Sequence, residues 1–340
     1  MKVLKYIEPR RVEISELPRP TIGVGEVLVR LEACGVCATD VKTFIRGHPH
    51  ISPGTVLGHE MTGIIAESQA KGWQVGERVV VAPYVPCEEC LYCSRGQYTL
   101  CEKLFEVFAE PGGFSEFLRV PQRIVQKGLF RLPAEIDFTL GSLVEPIACS
   151  YHGLEALALK HDESLLIIGD GPMGLMQAIL AREFGASPVV LAGMTPARLE
   201  IAAHFADRVI DVSKTNLRDE INALTNGAGI DKVMVSVGQT QVAEDAFVLV
   251  RRGGIINLFA GLPGNSRISV DPGRIHYDQV TLVGTFGFSH KHFARALESL
   301  THHAPDFAQL ITGTVSLAGL EQAFIESSQY AGIKTVAILG

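Results

Sequence analysis

SLLIIGDGPMGLMQAILAREFGA, residues 164–186, is the stretch whose reading decides the fold. It opens with an apolar run of strand length, Ser164 to Ile168. It then turns at Gly169-Asp170-Gly171-Pro172-Met173-Gly174 and continues as an apolar, helix-forming segment. The G-x-G-x-x-G spacing is a weak signal alone. Between a buried-type strand and a helix it reads as a turn built to hold a dinucleotide. The first glycine makes the turn tight, the second lets a pyrophosphate approach the backbone, and the third lets helix and strand pack closely. The N–H groups that open the helix are free to donate to phosphate.

Toward the C-terminus the pattern continues as strand PVVLA, helix PARLEIAAHF, strand RVID, helix NLRDEINALT and strand KVMVSV. Helix VAEDAFVLV, strand GGIINLFAG and a further strand in QVTLVGTFG complete it. Strands alternating with helices predict a parallel, doubly wound α/β sheet. Just upstream, TLGSLVEPIACSYHGLEALALK reads as one helix. Before that the texture differs. VEISEL, EVLVRLEACGV, MTGIIAE, ERVVVAPY and FSEFLRV are short apolar or alternating runs broken by Gly, Pro and polar residues, which predicts a small irregular β-rich barrel. The end of the chain, HKHFARALESL, AGLEQAFIESS and KTVAILG, supplies helices and a last strand that returns to this first domain. The expected division is therefore residues 1–150, with a separate lobe at 86–102, then 151–287, then the return at 288–340.

A chain of 340 residues suits two domains, and 47% apolar with 20% charged residues is ordinary globular composition. The 34 glycines are aperiodic, which excludes collagen-like and low-complexity readings. A net charge of −7 with no basic run argues against nucleic acid or an anionic membrane as partner. The N-terminal residues carry no apolar run of signal-peptide type, and no stretch approaches the roughly 20 apolar residues of a membrane helix. A cytoplasmic location is the expectation.

An acid is expected about 20 positions beyond the glycine turn, at the tip of the next strand, to bind the ribose 2′-hydroxyl. The segment there, Val190 to Arg198, includes Gly193, Thr195 and Arg198 and no acid. A missing carboxylate removes the repulsion that would exclude a 2′-phosphate. Thr195 and Arg198 offer donors for one. This inclines the coenzyme towards NADP rather than NAD, with Arg198 as an ordinary solvated helix charge as the plain alternative.

Seven cysteines in a chain of this kind do not suggest disulfides. Cys87, Cys90, Cys93 and Cys101 lie at spacings that close a tetrahedral zinc site, and four thiolates leave no open position, so this zinc is structural. An iron–sulfur cluster is the competing reading. Polar residues around the four cysteines point to a lobe that metal must hold together. A second set is dispersed: Cys37 in Gly35-Val36-Cys37-Ala38-Thr39-Asp40, His59 and Glu60 after Gly58, and Glu145 in Leu143-Val144-Glu145-Pro146. Each alone has an ordinary structural explanation. Cys34 and Cys149 read as core thiols.

In order along the chain, GVCATD, GHE, the four-cysteine lobe, GGFSEFLRVP, LVEPIA and GDGPMG resemble the zinc-containing medium-chain dehydrogenase/reductase family, and within it the sorbitol-like polyol dehydrogenases. The resemblance covers essentially the whole chain. It implies a GroES-like catalytic domain interrupted by a Rossmann domain, a catalytic zinc in the cleft between them, and assembly as a dimer or tetramer. Cys37 and His59 are then inner zinc ligands. Glu60 and Glu145 are both candidates for the third protein ligand. Thr39 passes the substrate proton, and Gly238, Ala260, Gly261 and Thr285 lie along the cofactor. A thiolate, an imidazole and a carboxylate make a harder centre than two thiolates, which suits an oxygen-rich substrate. One departure from the family pattern is Lys42, where alcohol dehydrogenases often place a proton-relay histidine. His48 or His50, in the RGHPHISP loop, lining the cleft in its place is one reading, and two solvated loop histidines is the plain alternative. The implied activity is hydride transfer between NAD(P) and a small polyol, sugar or other secondary alcohol. A threonine-dehydrogenase-like amino-alcohol oxidation and a non-catalytic nucleotide-binding role are the alternatives. Glu88, Glu89 and Glu102 argue against the lobe touching nucleic acid.

Overall fold

The computed structural model describes residues 1–340. The chain forms two compact units, Met1–Ala148 with Phe288–Gly340, and Cys149–Gly287. The first unit begins with β1 (Lys2–Glu8), β2 (Arg11–Glu16), β3 (Val27–Gly35), β4 (Glu60–Ser68), β5 (Arg78–Val81), β6 (Phe117–Val120) and β7 (Leu129–Arg131). The second holds β8 (Glu163–Ile168), β9 (Ala186–Gly193), β10 (Arg208–Asp211), β11 (Ile230–Val235), β12 (Val250–Leu258) and β13 (Thr281–Gly284). The chain then returns to the first unit with β14 (Ile311–Ser316) and β15 (Lys334–Ile338).

In the second unit all neighbouring strands are parallel, in the order β10-β9-β8-β11-β12-β13. Counted from β8, this is the 3-2-1-4-5-6 order of a dinucleotide-binding sheet, and the order reverses between β8 and β11. β8 is buried almost throughout because helices cover both faces of such a sheet. Leu166, Ile168, Val190, Val233, Val235 and Ile256 belong to its core, with Ile221 and Phe247 from the helices.

In the first unit the sheet runs β14-β15-β3-β4-β5-β7, with β6 also paired to β3. β3 and β4 are antiparallel, and their register sets Gly35 opposite Glu60. β15 lies antiparallel on the other side of β3, with Val336 opposite Gly35. The last strand of the chain thus lies beside the strand that leads into Cys37.

Three local readings need correction. The single helix expected over Thr139–Lys160 is two, Phe138–Gly141 and Val144–Glu155. Pro146, which lacks an N–H, sits in the first turn of the second, where none is needed. The helix after β9 is Pro196–Ala202 and does not reach His204 or Phe205. Val250, placed in a helix by its apolar run, is the first residue of β12 and pairs with Ile230. No helix is long and apolar enough to cross a membrane.

Candidate active site

Cys37 caps the helix Ala38–Arg46. Its sulfur accepts from the Thr39 N–H at 3.4 Å, and its own N–H donates to Asp40 Oδ2 at 3.1 Å. The other oxygen of Asp40 accepts from the Gly58 N–H at 3.1 Å and lies 3.7 Å from His59 Nδ1. One buried carboxylate therefore fixes both the cysteine turn and the Gly58-His59 segment. Asp40 lies within the GVCATD motif, but no role was expected of it. Its position three residues after a helix cap was the available signal.

Ligand atoms of Cys37, His59 and Glu60 lie within 4.8 Å of one another. Glu145, in the first turn of Val144–Glu155, is buried but does not join that group. Burial disfavours a charged His59 imidazole. The Asp40 carboxylate, the Cys37 sulfur and Glu145 outweigh it and hold His59 well above the usual histidine range. So dense a field of negative groups is what a bound cation would neutralise, and the donor set of thiolate, imidazole and carboxylate is one that zinc accepts.

Glu60 is fully buried and is met by Lys334, whose ammonium lies 2.6 Å from Oε1 and also donates to the Val36 carbonyl at 2.9 Å. Glu60 Oε2 has no hydrogen bond, although the ammonium lies 2.5 Å away. Burial works against the Lys334 charge, yet Glu60, Cys37 and Glu145 hold it above the ordinary lysine value. Nothing local in the sequence marks Lys334, since β15 alone brings it there. Thr39 is exposed on the first helical turn, as is Lys42 one turn on. His48 and His50 lie together in a loop, rings 5.8 Å apart. Cys34 is buried in β3, and its thiol is pushed well above the ordinary range by burial.

The four lobe cysteines bring their sulfurs within 4.8 Å of one another, with Cys87 3.4 Å from Cys101 and 4.0 Å from Cys93. Zinc–sulfur bonds of about 2.3 Å at tetrahedral angles put sulfurs about 3.8 Å apart, so the cage fits a single zinc. Backbone N–H groups hold the Cys90 thiol down at about 6, whereas burial drives Cys93 up to about 12. A cation is what makes four thiolates compatible there. The buried apolar support is only Cys93, Cys101 and Leu104, with Tyr84 and Tyr98 packed against them.

In the second unit, Gly171 caps the helix Pro172–Leu180 without any side-chain hydrogen bond, which leaves the donors of its first turn, Met173 and Gly174 included, unoccupied by side chains. A Cβ at Gly174 would lie 1.9 Å from the Gly169 carbonyl, so the third glycine is required by close packing. Gly238, Ala260, Gly261 and Thr285 all follow the carboxyl ends of β11, β12 and β13, the edge on which Gly169 follows β8. Thr285 is held by Asn257 at 3.2 Å. Thr195 caps the helix Pro196–Ala202, and Arg198 is buried in it rather than solvated. Asp170 places its carboxylate at the tip of β9, where Oδ2 accepts from the N–H groups of Met194 at 3.0 Å and Thr195 at 2.7 Å. The sequence reading found no acid at this tip because it searched the strand and not the turn facing it.

Residues 23–133 match the family "Alcohol dehydrogenase GroES-like domain", and residues 172–302 match "Zinc-binding dehydrogenase". D-arabinitol dehydrogenase 1 of Uromyces fabae is 33% identical over 312 residues, covering 88% of this chain and 86% of that one. Sorbitol dehydrogenase of Bacillus subtilis is 29% identical over 338 residues, covering 97% and 94%. Among solved structures, a putative zinc-binding dehydrogenase from Sinorhizobium meliloti 1021 bound to NADP superposes with a TM-score of 0.89 at 26% identity, covering 99% of this chain and 98% of that one. An alcohol dehydrogenase of Escherichia coli CFT073 complexed with NADH does so with a TM-score of 0.87 at 25% identity, covering 99% of each.

Proposed function

Because the chain belongs to the zinc-containing medium-chain dehydrogenase/reductase family, among its polyol dehydrogenases, we propose that Cys37, His59 and Glu60 hold a catalytic zinc at which the alcohol is oxidised. The reaction is reversible hydride transfer between NAD(P) and a small polyol, sugar or other secondary alcohol. The observation that carries the residue assignment is the convergence of a thiol, an imidazole and a buried carboxylate within 4.8 Å. The amino-alcohol alternative is not favoured.

Zinc supplies Lewis acidity that makes a substrate hydroxyl easier to deprotonate, and the nicotinamide supplies the hydride acceptor. The protein's own contribution is positioning. Asp40 orients the Cys37 turn and the His59 ring together, so neither ligand has to find its place when substrate arrives. Lys334 restrains the Glu60 carboxylate, and Glu145 adds a second negative group next to His59. The Thr39 hydroxyl, on the exposed first turn, takes the substrate proton towards solvent, with no histidine at position 42. The free N–H groups of the first turn of Pro172–Leu180 would hold the pyrophosphate, and Gly238, Ala260, Gly261 and Thr285, at the strand ends, would hold the rest of the cofactor. Cys87, Cys90, Cys93 and Cys101 hold a structural zinc. Assembly as a homo-oligomer in the cytoplasm belongs to the same proposal. For the coenzyme form, a strand tip without an acid points to NADP and the Asp170 carboxylate at that tip points to NAD.

Metal analysis of the purified chain is expected to give about two zinc ions per subunit. Nicotinamide absorbance should change with a panel of polyols. A metal-replete protein that turned over no polyol or secondary alcohol with either coenzyme would overturn the assignment, and iron in place of lobe zinc would overturn the structural site.

A further inference from the structure

The acid that grips the adenosine ribose in a dinucleotide sheet belongs to the tip of the second strand, about 20 residues after the glycine turn. Nineteen positions after Gly174 this chain has Gly193, the last residue of β9. A side chain at 193 has no room to start. Its Cβ would lie 2.5 Å from Asp170 Cβ, 2.6 Å from Cγ and 2.7 Å from Oδ2. The volume that a strand-tip acid would enter is filled by the side chain of Asp170, which comes from the opposite side, out of the turn between the first two glycines.

We propose that Asp170 is the coenzyme-specificity residue of this enzyme, a carboxylate supplied by the glycine turn in place of the strand-tip acid, and that it makes the enzyme prefer NAD to NADP. The assignment rests on the dinucleotide reading above. Three observations carry it. Asp170 is about nine-tenths buried, at 9% exposure, so its charge is poorly screened. Its Oδ2 already occupies the Met194 and Thr195 N–H groups, which are the donors this loop would otherwise offer a 2′-phosphate. Both of its hydrogen bonds run to Oδ2, which leaves Oδ1 to accept from a ribose hydroxyl. A ribose diol is a donor that matches it. A 2′-phosphate brings two negative charges against a fixed third.

The test is calorimetric titration of the zinc-loaded protein with NAD and with NADP, independent of turnover. The wild type is expected to bind NAD at least about tenfold more tightly, since a hydrogen bond to a charged acceptor is worth roughly ten- to a hundredfold in affinity. Asp170→Asn keeps an oxygen for the two N–H groups but removes the charge. It should weaken NAD about tenfold or more while NADP binding holds or improves. The transplant Asp170→Gly with Gly193→Asp moves the acid to the strand tip and should restore the NAD preference. Glycine is needed at 170, since even the β-carbon of alanine would clash. Equal or tighter wild-type binding of NADP overturns the proposal. So does an Asp170→Asn protein that loses both coenzymes in equal measure, because that is a loop-bracing role only. If the wild type bound neither coenzyme, the dinucleotide reading would fail and this proposal with it.

Discussion

The carboxylate of Asp40 serves three neighbours, the N–H groups of Cys37 and Gly58 and the ring of His59. Asp40→Ala leaves two partly buried backbone donors without their protein partner, at up to about 1–3 kcal/mol each. Urea unfolding is expected to show a loss of roughly 2–4 kcal/mol, and chelator competition should show weaker zinc retention. In the metal-free protein, Lys334→Met isolates a fully buried Glu60, and breaking such a pair costs about 3–5 kcal/mol. Adding Glu60→Gln to it should return most of that loss, because a buried amide needs no counter-charge. An unfolding midpoint that stayed low in the double variant would show that Lys334 acts by packing alone. The four-cysteine group was legible from its spacing, whereas Cys37, His59 and Glu60 stood out only through the family motifs, and Glu145 was expected beside them but does not join their group. Asp40, Lys334 and Asp170 were not legible. Lys334 meets a partner 274 positions away, and Asp170 bonds across a strand tip that no periodicity describes.

At the scale of elements, the lobe 86–102 has almost no apolar core, so the zinc proposed for its four cysteines would be what keeps it folded. Chelation, or Cys93→Ser, is expected to open the segment to trypsin at the exposed Arg95 while the rest of the chain resists. Cleavage at the same rate with and without metal would contradict that. Asp231 joins the beginnings of three strands of the other unit. It accepts from the Ser164 N–H at 2.8 Å and hydroxyl at 2.6 Å, and it pairs with Arg251. Burial raises its pKa, but these donors more than offset that and leave it below the usual carboxylate value. A folded value below the unfolded one, about 3.9, gives stability that is complete above that pH and is lost as pH falls through the folded value. The urea midpoint should therefore drop on acidification below about pH 4, and drop less in Asp231→Asn. Element types were legible from their periods. Their ends were not. Val250 has the same apolar neighbours whether helix or strand, and only its pairing with Ile230 decides.

At the scale of the molecule, the alternation of strands and helices announced the parallel sheet, whereas the sheet order that juxtaposes β15, β3 and β4 has no local signature. Ending the chain at Gly332 would strip β3 of a partner strand and Glu60 of its ammonium together. Such a truncation is expected to lose the Cys37–His59 metal and to unfold the first unit, while the sheet of β8–β13, continuous in sequence, keeps its circular-dichroism signal. The placement of β15 also bears on how the protein is made. Glu60, beside His59, is synthesised 274 residues before the Lys334 that meets it. At about 5–20 residues per second the gap is on the order of tens of seconds. Throughout that interval the nascent chain carries a thiol and an imidazole whose neighbouring carboxylate lacks its ammonium partner. The finished centre is thus assembled only after the inserted sheet has been synthesised and has had time to form.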